Sequence, residues 1–413
     1  MASPDFKSIY TWDNHGFPAM WRYILPEDAE WIRLPEERRA TCQSCPKVAD
    51  GSHHKDTQCC TYFPELVNYL LGFALQDEKS RPLIEAQIAK GHILPTGQQI
   101  HPGQYKKAVQ SYADDLFGEL PSQACPFLNP ETIQCGIYPY RNSVCSTFFC
   151  ENDHGEAGNH LWEKTQDLVA YIEIALSQAA MQSLGMDVRE YVLALDSWSS
   201  SVDSSFVPDE GWSLSLRQKL WGKWFGRESE FLIACADWVL ERKDKLYQIA
   251  LDQTLYEARA FEAAINEWLP ADIRPETEPI SLDSNLPVPS PIEGFWYTVQ
   301  LAARQMWAIP FGEGEWQLSP LVELPEQASE TMAVHRNPVK EDGARLSLPI
   351  NSAQLTLLTK FKELQEFNEA LMDSPEMEAV EDNRDFLAEC LRQNIIVRDG
   401  KIPPPRRKTL PII

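Results

Sequence analysis

The chain has 413 residues, 43% hydrophobic and 24% charged, with a net charge of −24. That is an ordinary globular composition with room for two or three domains, and a chain this long buries a core without disulfide staples. The acidic excess repels phosphate backbones and anionic lipid, and no run approaches eighteen apolar residues, so neither nucleic acid nor a membrane is an expected partner. The basic tail PPRRK near the C-terminus reads as a solvated end.

Residues 1–40 alternate aromatics (Tyr10, Trp12, Phe17, Trp21, Tyr23, Trp31) with prolines and acids, the pattern of a segment wrapped over a core. The start MASPDFKSIYTWDNHGF has no basic region, apolar stretch or small-residue cleavage site, so a reducing, cytoplasmic location is expected.

Eight of the ten cysteines then fall between residues 42 and 150: Cys42 and Cys45 as C-x2-C, the adjacent pair Cys59 and Cys60, then Cys125, Cys135, Cys145 and Cys150. Thiolates at this density in a reducing compartment hold zinc or an iron–sulfur cluster. In an oxidising one the same eight would form a disulfide framework. C-x2-C lets two sulfurs reach one tetrahedral ion from a single turn. Successive side chains diverge, so Cys59 and Cys60 serve different sites, or one ligates and the other packs.

Between the two cysteine groups the periodicity predicts three helices. The first begins near Pro64 in YFPELVNYLLGFAL, the second is RPLIEAQIAKG closed by Gly91, and the third is QYKKAVQSYADDLFG with Tyr105, Val109, Tyr112 and Leu116 on one face. The second group is loop-like, interrupted by Pro126, Pro130 and Pro139, with Gly136 expected to permit a close approach to the site. Arg141 is placed to offset thiolate charge, or to form an ordinary surface ion pair. Eight sulfurs suffice for two four-thiolate sites, so His53, His54, His154 and His160 are read as neighbours rather than ligands, His154 being the best placed.

The order C-x2-C, CC, CPFL, C-x-IY and R-x3-C, followed by an aromatic, resembles the zinc- or iron-chelating YkgJ-like cysteine-rich domain family over about residues 40–150. A related cysteine pattern occurs in the flagellin lysine N-methylases. Asn142 stands where that family tends to have proline, and Ser146 where it tends to have arginine. The resemblance implies a metal or cluster held by these cysteines, and by extension a cluster-dependent modification of a protein or peptide partner held by the C-terminal module.

A long helix is expected from about Gly158 to Leu184, then a helical MDVREYVLALDSW, then helix again over 212–268, including Phe231–Leu240 and Leu246–Trp268. Trp212, Trp221 and Trp224 at helical spacing read as core rather than as a surface for stacking substrate. Cys235 and Cys390, each among apolar neighbours, read as packed thiols. Residues 270–292, with six prolines and several acids, read as a linker. Beyond it, TMAVHR and ARLSLPI form a hairpin across NPVKEDG. Helices follow from Ser352 to about Leu371 and from Asp382 to Gln393, and IIVRDGK ends the series as a strand.

The expected fold is therefore mainly α. A cysteine-rich metal-binding domain with a long helical insert (1–160) precedes a helical region (161–269), the linker, and a small α+β, winged-helix-like module (293–413). No Walker loop, dinucleotide fingerprint, nucleophile elbow or H-E-x-x-H is present. The expectation is an iron–sulfur protein, with [4Fe–4S] the favoured cluster, or a zinc protein using Cys42, Cys45, Cys59, Cys60, Cys125, Cys135, Cys145 and Cys150. The alternatives are a cluster-dependent protein-modifying enzyme and a scaffold stapled by structural zinc.

Overall fold

In a computed structural model of the chain, the described residues are 4–13, 15–32, 34–35, 45–113, 116–148, 152, 154–201, 211–267, 288, 290–308, 315–325, 332–336, 346–363, 365–366, 374–380, 386–387, 390 and 395–398. The architecture is mainly helical with several small antiparallel sheets.

The N-terminal aromatics do cover the core. A hairpin of β1 (Ile9–Trp12) and β2 (His15–Pro18) leads into the single turn α1 (Trp21–Ile24). Trp12, Phe17, Trp21 and Ile24 are all buried, with Phe17 stacked on Trp21 at 4.5 Å. After the short α2 (Pro46–Ala49) come β3 (Leu66–Val67), α3 (Asn68–Leu75), α4 (Arg81–Lys90), β4 (Ile93–Leu94), β5 (Gly97–Gln98) and α5 (Pro102–Ala113).

The first of these helices starts later than Pro64. Leu66 and Val67 pair with Gln98 and Gly97, and the Asn68 N–H donates to the Thr96 carbonyl at 2.9 Å, so the backbone is committed to a sheet until residue 68. α4 ends as predicted on Gly91 in the left-handed conformation (φ 75°).

The second cysteine group carries the hairpin β6 (Leu128–Asn129) and β7 (Gln134–Cys135), then the single turn α6 (Ser143–Ser146). α7 (Gly155–Ser183) is the longest element, and α6, α10, α11 and α13 pack on it. It is followed by α8 (Val188–Ser201), α9 (Leu214–Trp221), α10 (Glu228–Glu241), α11 (Leu246–Asp252), α12 (Arg259–Glu267) and α13 (Ile292–Ala308).

The helix expected over Leu246–Trp268 is broken between 253 and 258. Gln178 of α7 clamps Tyr256 there, accepting its N–H at 3.0 Å and donating to its carbonyl at 2.8 Å, while Leu255 pairs with Val288. A side chain 78 residues away thus takes over backbone groups that a continuous helix would use. Trp212 and Trp221 are buried and Trp224 is partly so, and Cys235 is buried on α10, all as core. Residues 270–287 lie outside the described part. α13 packs on α7 within the larger core.

A second buried cluster is built from residues 334–396. β10 (Met332–Arg336) lies between β9 (Val322–Glu323) and β11 (Leu346–Ile350), the expected hairpin, whose turn NPVKEDG is outside the described residues. β8 (Glu315–Leu318) lies between β12 (Gln365–Glu366) and β13 (Ile396–Arg398). α14 (Ser352–Lys360) carries a full capping box from Asn351 and Gln354. It stops at Lys360, well short of Leu371, because the Phe361 carbonyl is taken by the Leu318 N–H and Gln365–Glu366 join β8. α15 (Pro375–Glu378) packs against α14. Cys390 is buried here, and most of the helix expected over 382–393 is outside the described residues.

Candidate metal centre

The first cysteine group is a loop wound on itself and tied to a distant segment. The Cys45 carbonyl accepts from Val48 and Ala49, starting α2. The His54 carbonyl accepts from Thr57 and Gln58, Gln58 takes a positive φ of 51°, and the Cys60 N–H donates to Thr57 at 2.9 Å. The His54 N–H donates to Gly118 at 2.8 Å, and the Gly118 N–H donates to the Thr61 hydroxyl at 3.0 Å. The loop is thereby held against the segment that leads into Cys125.

That contact continues into the cysteines. The Cys125 N–H donates to the Cys60 carbonyl at 2.7 Å, across 65 positions of sequence. The Cys125 carbonyl accepts from Leu128 at 3.0 Å, and the Phe127 and Leu128 amides favour the thiolate form of Cys125. Phe127 accepts from Gly136 at 2.8 Å, and Leu128 pairs with Cys135, so Cys125 lies just ahead of the hairpin that carries Cys135. Gly136 was expected to serve the sulfur site. Its missing Cβ instead makes room for the Leu83 side chain of α4.

The third piece is α6. Asn142 caps it, accepting from the Cys145 N–H at 3.0 Å and donating to the Glu65 carbonyl at 2.7 Å. Arg141 stacks over Tyr138 at 3.7 Å and donates to the Cys145 carbonyl at 3.3 Å. The Ser143 N–H donates to the carboxylate of Glu173 on α7, at 3.3 Å.

Electrostatically these pieces are one neighbourhood. Burial pushes the Cys145 thiol up to about 12, Cys135 adds to the rise, Arg141 opposes it, and Cys59 and Glu173 add smaller upward contributions. Burial likewise drives the Cys125 thiol far up, with Cys145 next in effect and the Phe127 and Leu128 amides opposing. Burial raises Glu173 to about 8, against its Ser143 hydrogen bonds, and Glu65 to about 7, against its Ile100 hydrogen bond. Among the described residues, Arg141 is the cation that acts on Cys145.

Cys135 lies on the hairpin that follows Cys125, Cys60 is joined to Cys125 through its backbone, and Cys135 and Cys59 act electrostatically on Cys145. Cys45 is not among the thiols acting on Cys125 or Cys145, and Cys42 and Cys150 lie outside the described residues. None of the described cysteines is in a disulfide. Among the described residues, no group of three or more His, Cys, Asp or Glu is arranged to hold a metal ion. No family model, curated protein or solved structure matches the chain. The thiols are soft donors in kind, but the described residues do not gather three of them around one point.

No histidine is among the groups that shift Cys125 or Cys145. The His53 ring packs edge-on against Phe117, His160 is half exposed near Glu163, and His154 is buried at the start of α7. Sequence reasoning missed Glu65, Glu173 and the capping role of Asn142. Glu173 had a signal: it follows Val169 by four and precedes Leu176 by three, which sets a carboxyl on the buried face of a long apolar helix.

Proposed function

We propose that this chain is an iron–sulfur or zinc protein whose centre is built from the cysteines of residues 42–150, with a redox or cluster-dependent role. The observation that carries the reading is the Cys60–Cys125 backbone hydrogen bond, together with the mutual electrostatic influence of the thiols on either side of it. Thiolates drawn from separate segments repel one another, and a bound metal would take up that charge. The Phe127 and Leu128 amides, which favour the Cys125 thiolate, are the kind of group that tunes a metal-bound sulfur.

A bound cluster would supply one-electron chemistry, and a zinc ion would supply only a cross-link. The chain's own part is to bind, orient and neutralise. Arg141 and the Phe127 and Leu128 amides offset sulfur charge, and Asn142 fixes the turn that carries Cys145. A structural zinc is the second reading, favoured by the way these cysteines tie together three segments well separated in sequence.

Anaerobic purification followed by elemental analysis tests both readings. Iron with matching acid-labile sulfide and a brown absorbance supports the cluster. Stoichiometric zinc in a colourless protein replaces it with the structural role. Protein that retains neither metal, and takes up neither on anaerobic reconstitution, ends the proposal.

A further inference from the structure

Helix α13 shows an apolar ridge to solvent. Tyr297 is 62% exposed, the most of any large apolar side chain among the described residues, and Leu301, one turn on, is 40% exposed. Trp296 beside them is only partly buried, and the exposed Glu293 continues the same line one turn before Tyr297. The opposite face, with Ile292, Val299, Ala303 and Met306, is sunk in the core. The helix is therefore firmly seated, and its outer line is a surface patch in its own right.

The rim of that patch is acidic. Gln300 of α13 donates to the Asp28 carboxylate at 2.9 Å, which holds that carboxylate beside the ridge. Burial raises the Tyr247 hydroxyl of α11 to about 12, and Asp28 and Glu293 each add to the rise, so both carboxylates also border Tyr247. Aromatic rings edged by carboxylates suit a proline-rich segment that carries basic side chains. Proline faces lie flat on the rings, and the cations meet the carboxylates.

This chain contains such a segment. Residues 399–413, DGKIPPPRRKTLPII, lie outside the described part, and three consecutive prolines run directly into Arg406, Arg407 and Lys408. Sequence alone leaves this tail in solvent, but in a chain of net charge −24 it is a concentrated block of positive charge. Connectivity brings its root near the ridge. Arg398, at the end of β13, pairs with Trp316 of β8. Only residues 309–314 join β8 to α13, which keeps Glu315 within about 25 Å of Ala308. Leu301 lies about 10 Å further back along the helix. A segment the length of residues 399–413 in polyproline II geometry covers about 46 Å, more than both spans together.

We propose that the C-terminal tail of this chain docks on the Tyr297–Leu301 ridge of α13, its prolines on the aromatic line and Arg406, Arg407 and Lys408 toward Asp28 and Glu293. The tail then occupies a surface that a basic, proline-rich peptide of another protein has to win from it. The proposal stands whether or not the cysteines hold a metal.

The test uses the full chain. Trypsin cleavage after Arg406 and Arg407 is followed by mass spectrometry and compared with that of a synthetic peptide of residues 399–413. Docking is expected to slow cleavage about tenfold, and the double variant Glu293→Lys, Tyr297→Ala to bring it within about twofold of the peptide. Both altered side chains are exposed, so the variant keeps the core intact. Carbodiimide, which joins lysine to carboxylate at contact distance, is expected to link Lys408 to Glu293 or Asp28 in the parent. An equal mixture of chains made with natural and heavy nitrogen separates the sources. Links within one isotope place the tail on its own chain, whereas links that cross isotopes place it on a second copy and overturn the proposal. Cleavage of the parent at the peptide's rate overturns it as well. So does slow cleavage that the double variant leaves unchanged, for the tail is then held elsewhere.

Discussion

Asn142 holds Cys145 from one side and the Glu65 carbonyl from the other, at 3.0 and 2.7 Å. One amide side chain therefore fastens the turn carrying a sulfur to the segment that runs into β3. Asn142→Ala removes a helix cap and leaves the buried Glu65 carbonyl without this donor. A loss of about 1–2 kcal/mol is expected in urea unfolding of the metal-free chain. An unchanged midpoint would show that the cap is replaceable.

Gly72 of α3 lies against the backbone of Leu232 on α10, and a Cβ there would fall on the Leu232 carbonyl and crowd the Ala236 Cβ at 2.8 Å. The two helices cross with nothing between them. Gly72→Ala gains helix propensity but forces the helices apart, and the net effect expected is a destabilisation of about 1–3 kcal/mol. A thermal melt that rises instead would mean the pair separates without cost.

The buried carboxyls give stability a direction with pH. Glu173 is raised to about 8 and Glu65 to about 7, each by burial and each opposed by a backbone hydrogen bond. The folded state holds these protons where the unfolded chain has released them, so stability falls as pH rises from the ordinary carboxylate range near 4.5 through 7 and 8, then levels. Glu173→Gln keeps an acceptor for Ser143 and has no charge to bury. Urea midpoints at pH 5 and pH 8.5 should lie closer together in this variant than in the parent. Equal pH dependence would place Glu173 in a more solvated setting than the fold implies.

Ile133 takes a φ of 52° at the end of the turn joining β6 to β7, where Asn129 receives the amides of Glu131 and Thr132. A β-branched residue is strained in the left-handed region. Ile133→Asn is expected to stabilise by roughly 1 kcal/mol, the cost of the left-handed conformation. The half-buried side chain is a modest loss against that. A lower melting temperature would show that its packing outweighs the strain.

Metal should act as a folding ligand. Zinc held at about a hundred times its dissociation constant adds about 2.7 kcal/mol, and a chelator removes it. Melting curves with zinc and with chelator should differ by that amount in the parent. They should coincide once Cys125 and Cys145 are both serine.

Local pattern was enough for much of this chain. Apolar periodicity located α4, α7, α8 and α10, Gly91 marked an end, and alternating residues on either side of a turn announced β10 and β11, because each is decided by neighbours a few positions apart. The crowding of cysteines was equally plain in the sequence. What only the tertiary structure decided is where long-range partners intervene. Thr96 and Gln98 postpone the start of α3, Gln178 opens a gap before α12, and Phe361 ends α14 early. The approach of the two cysteine groups belongs to the same class, for it runs through a backbone bond between Cys60 and Cys125 spanning 65 residues, and no local propensity encodes it.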